Sequence, residues 1–533
     1  MANLPPFKNE PLTDFTQPEH KTAMEAALAK VGAQLGQEHP LVIGGERITG
    51  LPTFESLNPA KKDQVVGTFQ EGSKEHVERA VEAAWTAFES WKREPVDVHA
   101  GVLLRAADLM RQRKHEFSAV MVYEVGKTWA EADADTAEAI DFLEFYAREA
   151  YRWRADEQPI TKIDAEDNHL VYIPLGVGAV IPPWNFPLAI MAGMTTAGIV
   201  TGNCMVLKPS SDAPWIAWRF FALLEEAGMP PGVVNFVSGG GSEVGEPLVT
   251  HPRIRFISFT GSKQVGLHIN EQAAKPREGQ LWIKRVVAEM GGKDAIIVDR
   301  ETSNLDEAAS AVVASAFGFQ GQKCSACSRL IVDEAIYDQL VPLVVEKTKK
   351  LRIGDPTTPD AQIGPVVNAK AMKTISSYIE KGVKEGGEIL AGGKVDSTNG
   401  FYIEPTVIGP VGEKSTIAQE EIFGPVLAII KAKDFDDALR IANDTEFGLT
   451  GAVFSDNEEK LARAQEEYFV GNLYLNRKCT GALVGVHPFG GFNMSGTDSK
   501  AGGRDYLGLF LQAKAVSRRV GSAPKTVKDA KGF

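Results

Sequence analysis

Val171-Tyr-Ile-Pro-Leu-Gly-Val-Gly-Ala-Val-Ile181, Cys204-Met-Val-Leu207, Val233-Val-Asn-Phe-Val237 and Ile254-Arg-Phe-Ile-Ser-Phe259 follow one another as short apolar runs. Each is strand-length, and the stretches between them, such as Trp215–Ala227, carry a helical pattern. Strands that alternate with helices build a parallel, doubly wound sheet, and ligands of such sheets collect beyond the C-terminal strand ends. A second alternation of the same kind begins near Ala295 and runs to about Phe454, predicting a second α/β unit.

The rest of the chain fits around these two units. Its 533 residues exceed one hydrophobic core, so two or three domains are expected. On the stretch 73–92, Val77, Val81, Ala84, Trp85, Phe88 and Trp91 share one helical face, which predicts a helix packed on a sheet. The apolar run Val177–Val200 has the length of a membrane span, but Pro182, Pro183, Asn185 and Pro187 break it. It reads as a buried turn followed by a core helix. Polar Arg154–Asn168 reads as a β-hairpin, and the tail from Lys514 is basic without interleaved aromatics, which suits a disordered or partner-packing tail better than a nucleic-acid arm. A net charge of −13 also argues against nucleic acid. Four scattered cysteines and an N-terminus without a basic start and apolar core point to a reducing, cytoplasmic setting, with no membrane partner.

Chemistry concentrates at strand ends. After Val233–Val237 comes Ser238-Gly-Gly-Gly-Ser-Glu-Val-Gly245, in which Gly239, Gly241 and Gly245 leave room for a pyrophosphate. The spacing is one residue longer than the usual dinucleotide fingerprint, and a plain tight turn fits it equally. Lys208, at the end of Cys204–Leu207, is placed to hydrogen-bond a ribose, although a surface lysine is the simpler reading of that residue alone. Ser262, after Thr260-Gly261, offers a hydroxyl and amides to a phosphate. Asn185 offers an amide NH2 between prolines, which suits an oxyanion donor or a simple turn. Glu289, after the strand-like Ile283–Ala288, suits a general base if burial raises its pKa.

In Phe317-Gly-Phe-Gln-Gly-Gln-Lys-Cys-Ser-Ala-Cys-Ser-Arg329, small neighbours let a substrate approach Cys324, so the thiol can act as a nucleophile. Cys324 and Cys327 also form a C-x-x-C pair, which admits a redox dithiol or half of a zinc site. No second C-x-x-C or H-x-x-x-H completes a zinc site, and Cys327 reads as a small buried residue.

Taken together, Pro183–Pro187, Phe259–Gly266, Glu289–Lys293, Phe317–Arg329, Glu420-Glu-Ile-Phe-Gly-Pro-Val426 and Pro488-Phe-Gly-Gly-Phe492-x-x-Ser495-Gly496 resemble the aldehyde dehydrogenase superfamily, in order and over roughly residues 40–510. The resemblance implies the aldehyde dehydrogenase fold: a Rossmann-like cofactor domain (1–155 and 176–290), an α/β catalytic domain (291–498) and a small β oligomerisation element (156–175 and 499–533). It implies Cys324 as nucleophile, Asn185 as oxyanion donor and Glu289 as the base that activates water. It further implies NAD, held by Lys208, Ser211, Gly241, Gly245, Ser262, Glu421 and Phe423. Many family members carry Glu where this chain has Ser211, and a neutral serine does not repel a 2′-phosphate, so NADP is tolerable beside NAD.

Gly321-Gln-Lys-Cys-Ser-Ala326 and Asn476-Arg-Lys-Cys-Thr-Gly-Ala-Leu-Val-Gly485 are similar to the 1-pyrroline-5-carboxylate dehydrogenase branch, as are the N-terminal Pro-Phe-Lys-Asn-Glu-Pro and Glu138–Phe142. That likeness implies oxidation of L-glutamate γ-semialdehyde to glutamate, the second step of proline degradation. Its substrate pocket would be lined by Phe186, Lys323, Ser325, Gly481 and Ala482, with Lys323 as a positive field. The proline-oxidising flavin barrel fused to some branch members has no room here. A homo-oligomer, a dimer or an assembly of dimers, is the implied state. Another semialdehyde dehydrogenase, such as one for succinic semialdehyde, is the competing expectation, and a redox dithiol or a non-catalytic scaffold are the rivals outside the family.

Overall fold

The computed structural model describes residues 4–153 and 160–520. Two seven-stranded sheets dominate. In the first, Arg285–Glu289, Phe256–Thr260, Val177–Ile181, Cys204–Leu207 and Val234–Phe236 lie side by side and parallel. Leu41–Ile43 and Glu46–Ile48 extend this sheet antiparallel at one edge. These strands are apolar on both faces because helices cover both, the pattern of a buried parallel sheet. The chain order along the sheet reverses beside Val177–Ile181, which creates the crevice where doubly wound folds bind ligands.

The second sheet runs Ile389–Ala391, Thr406–Ile408, Val426–Ala432, Cys327–Asp333, Asp294–Val298, Thr450–Phe454 and Asn472–Leu475. Only its first strand is antiparallel. The chain passes from sheet to sheet through Met290-Gly-Gly-Lys293. The C-terminal strand ends of the first sheet therefore face the N-terminal strand starts of the second.

Lys74–Trp91 is the expected helix, with Val77, Val81, Ala84, Phe88 and Trp91 buried; Trp85 lies at its margin and donates its indole N–H to Arg253 O at 3.0 Å. Ala189–Val200 is the expected core helix, and among the described residues no helix is long and apolar enough to cross a membrane.

One expectation changes. Val171–Ile181 is two strands, Glu166–Pro174 and Val177–Ile181. Pro174 offers no N–H, and Gly176 takes φ +134°, so the chain turns there and leaves the ladder. Of the expected hairpin Arg154–Asn168, the described part holds an antiparallel bridge from Ile163 to Glu166. Residues 154–159 lie outside the described residues, while Glu166–Pro174 pairs antiparallel with Leu511–Arg519 from the far end of the chain. Such distant pairing leaves no local turn signal to read.

Candidate active site

The nucleophile loop is built from an unusual backbone. Phe319, Gln320 and Gly321 take φ of 47°, 56° and 65°, three left-handed residues in a row. Side chains disfavour that region, so the surroundings must hold the turn. Gln320 donates its amide to Gly126 O at 3.2 Å and Pro365 O at 2.6 Å, and Gln322 Oε1 accepts the Val367 N–H at 2.9 Å. Cys324 follows, half-buried, before the strand Cys327–Asp333. Burial, together with the carboxyls of Asp294, Glu421 and Glu289, pushes its thiol pKa up. The resting nucleophile is thus a neutral thiol that needs a proton acceptor. A Cβ on Gly292 would overlap the Cys324 carbonyl oxygen, so only glycine fits that crossing.

Asn185 arrives from the opposite wall, on the turn after Val177–Ile181. Its side chain is buried, and Nδ2 donates to Gln322 O at 3.0 Å. A primary amide has two N–H groups, so one remains available to a further acceptor.

Glu289 ends the last strand of the first sheet. Its Oε1 accepts from Ser499 Oγ at 2.6 Å and Ser499 N at 3.3 Å, and Oε2 from Gly491 N at 3.2 Å. Despite these bonds, burial raises its pKa to about 7. That value suits a group which must both take and give up a proton near neutrality.

Of the expected cofactor residues, Lys208, Ser211, Gly241, Gly245 and Ser262 follow strands of the first sheet, and Glu421 and Phe423 precede a strand of the second. Lys208 is buried, its ammonium donates to Pro209 O at 3.1 Å, and burial lowers its pKa to about 8. Gly241–Gly245 forms a π-helical turn running into the short helix Glu246–Thr250, rather than a tight loop before a long helix. Gly241 opens to free space, and a Cβ on Gly245 would meet Lys208 Cε at 3.6 Å. Ser262 caps the helix Lys263–Ala274, its hydroxyl accepting the Val265 N–H at 3.4 Å. Ser211 is exposed beyond the strand end of Lys208. Glu421 accepts the Gly292 N–H at 3.0 Å, with its carboxyl raised to about 7 by burial. Phe423, at φ 56°, stands edge-on to Trp184 at 5.5 Å. Glycine cradles, a buried ammonium and a carboxylate fit a dinucleotide.

On the substrate side, Ser325 is held through its carbonyl by Thr450 Oγ1 at 3.4 Å and Cys479 Sγ at 3.5 Å. Gly481, at φ +79°, and Ala482 lie on the surface loop that follows Cys479. Lys323 departs from expectation as a positive field. Its ammonium sits 2.7 Å from Glu131, which cancels most of its charge. Sequence reading missed Glu131, and also Glu138 one pair of turns further along the same helix. Burial and Asp135 raise Glu138 to about 8, and Lys127 and Lys323 act on it from nearby. The resemblance singles out the segment Glu138–Phe142 without giving Glu138 a role, and the helical spacing of acids from 131 to 138 is the other hint.

The aldehyde dehydrogenase family model matches residues 48–516. A 1-pyrroline-5-carboxylate dehydrogenase of Geobacillus sp. (strain WCH70) is 57% identical over 512 residues, spanning 96% of this chain and 99% of that protein. Solved structures agree. A Thermus thermophilus 1-pyrroline-5-carboxylate dehydrogenase variant superposes with a TM-score of 0.96 at 50% identity, over 97% of this chain and all of that one. The Thermus enzyme with bound NAD gives 0.95 at 51% identity over the same shares, 97% and 100%. The chain belongs to the aldehyde dehydrogenase family.

Proposed function

We propose that the protein oxidises L-glutamate γ-semialdehyde to L-glutamate with NAD. The observation that carries this reading is the convergence of the Cys324 loop, Asn185 and Glu289 on one crevice that also holds the dinucleotide-fitting residues. The likeness to enzymes named for 1-pyrroline-5-carboxylate supports the substrate.

In this reading the Cys324 thiol gives up its proton to solvent water and the sulfur attacks the aldehyde carbon. The Asn185 amide and the Cys324 backbone N–H hold the oxyanion. Bound NAD supplies the hydride acceptor. Lys208 and Ser262 would hold its ribose and phosphate, Gly241 and Gly245 would leave room for it, and Glu421 and Phe423 would orient the nicotinamide end. With a thioester left on Cys324, Glu289 takes a proton from water, which attacks the acyl carbon and frees the acid. Ser325, Gly481 and Ala482 would bind the distal carboxylate, with Phe186 lining the pocket. The substrate ammonium needs an anion. Glu131 is engaged by Lys323, whereas Glu138 forms no ion pair among the described residues, so Glu138 is the better partner.

The domain bounds follow: 1–155 with 176–290 for the cofactor, 291–498 for catalysis. The ribbon of Glu166–Pro174 and Leu511–Arg519, with Ile173 and Val516 exposed, is the natural surface for a homo-oligomer. A cytoplasmic setting suits four free thiols.

The test is NADH formation from L-1-pyrroline-5-carboxylate beside succinic semialdehyde and a simple aliphatic aldehyde. A clear preference for the first is expected, lost in Cys324→Ala and kept in Cys327→Ala. Better turnover of another aldehyde would remove the substrate assignment, and an active Cys324→Ala variant would remove the mechanism.

A further inference from the structure

The helix Lys114–Val125 ends at Gly126, whose φ of +69° turns the chain inward and buries the next side chain completely. The Lys127 ammonium lies 4.0 Å from the Phe186 ring centroid and 4.4 Å from that of Phe319. Phe186 neighbours the oxyanion donor Asn185. Phe319 opens the left-handed turn that presents Cys324. One cation therefore holds a ring from each of the two loops whose separation sets the geometry of attack.

Its neighbours serve the same two loops. Asp135 lies 3.0 Å from Lys127 Nζ, and its other oxygen accepts the Ala189 N–H at 2.7 Å, just past the Asn185 turn. Gly126 O accepts from Gln320, in the nucleophile turn. Both sides of the crevice are thus tied to the segment Gly126–Lys127 and its ion pair. A fully buried lysine is otherwise a costly choice for a packing role, which a methionine would fill without desolvating a charge.

We propose that Lys127 is a positioning residue for the oxidation, its ammonium wedged between Phe186 and Phe319 so that Asn185 and Cys324 are held at attack distance. This rests on the functional reading of those two residues given above. Removing the cation frees both rings to relax, and a displacement of about 1 Å costs on the order of a hundredfold in rate.

Lys127→Met alone strands a buried carboxylate and is a poor probe of geometry. The decisive variant is Lys127→Met with Asp135→Asn, which removes both charges, compared with Lys127→Arg and the parent enzyme. Two quantities are read: the single-turnover rate of NADH formation from L-1-pyrroline-5-carboxylate, and the rate at which iodoacetamide alkylates Cys324, located by mass spectrometry. The double variant is expected to lose about 10- to 100-fold in the first rate, with its KM for NAD within about twofold of the parent and with altered alkylation, and Lys127→Arg to recover much of the loss. An unchanged single-turnover rate overturns the proposal. So does a loss that comes with a matching loss of NAD binding and no recovery in Lys127→Arg, since that is damage to the fold. If iodoacetamide labels the parent enzyme elsewhere and spares Cys324, the functional reading falls and takes this proposal with it.

Discussion

Replacing Glu289 by Gln should make the protein more stable at alkaline pH while it removes turnover. The carboxyl sits buried with a pKa of about 7 against an ordinary 4.5. A carboxyl raised by folding destabilises the fold only where it must ionise. The cost is absent well below pH 4.5, grows as pH rises toward 7, and is constant above. The gap corresponds to about 3 kcal/mol at ~1.4 kcal/mol per unit. Glutamine carries no charge at any pH. Its amide oxygen can keep the two bonds from Ser499, but its NH2 then meets the Gly491 N–H, a loss of about 1 kcal/mol. The variant should therefore gain roughly 2 kcal/mol over the parent at pH 8.5 and lose that advantage at pH 5. For a chain of this length that is a swing of about 2–3 °C in relative melting temperature, read by differential scanning calorimetry at both pH values. In kinetics, the variant should release about one NADH per chain and then stall, because a thioester forms that no base helps water to attack. Parent turnover should rise through pH ~7 as Glu289 ionises. A pH-independent offset in melting temperature, or full steady-state turnover in the variant, refutes the argument.

Two further outcomes test the cofactor wall. Lys208 titrates near pH 8 in its buried place, and the ammonium is a stronger donor to a ribose than the neutral amine, so the KM for NAD should climb as pH rises through about 8. Initial rates over pH 6.5–9.5 check this, and Lys208→Ala should be weaker throughout with a flat profile. Ser211 is exposed three residues after Lys208. Ser211→Glu should raise the KM for NADP by about tenfold or more through repulsion of the 2′-phosphate and leave NAD nearly unchanged, and equal effects on both would contradict that placement.

What the sequence discloses depends on distance along the chain. The strands around Cys204–Leu207 and Val233–Val237, the helix over Lys74–Trp91 and the nucleophile loop are written in contiguous patterns, so they are legible. The order of the strands within each sheet is not, although parallel connections restrict it. Lys323 shows the limit sharply. Beside Cys324 it reads as a free cation, but its partner Glu131 lies 192 residues earlier and has no motif of its own. The ribbon of Glu166–Pro174 with Leu511–Arg519 is legible only through the resemblance, which groups 156–175 with 499–533, because no turn joins its strands. Lys127 is hardest of all. Nothing in Val125-Gly-Lys-Thr128 separates a buried wedge from a solvated helix end.

The crossing Met290–Lys293 explains why this site needs such wedges. Asn185, Lys208 and Ser262 lie beyond strand ends of the first sheet, and Glu289 closes its last strand. Cys324 and Glu421 precede strands of the second. Acceptor, base and oxyanion donor thus stand on one rigid wall, and the nucleophile on the other. A displacement of one sheet against the other changes every catalytic distance at once, so contacts across the crevice matter more than packing within either wall. Contacts between the two walls include Asn185 to Gln322 O, Gln320 to Gly126 O, Glu289 to the Gly491 and Ser499 N–H groups, and Thr497 Oγ1 to the Ala288 N–H. Each ends on backbone, which no substitution of the accepting or donating residue can delete. The catalytic register is fixed by main-chain partners, and the side chains that reach them are where mutation can loosen it.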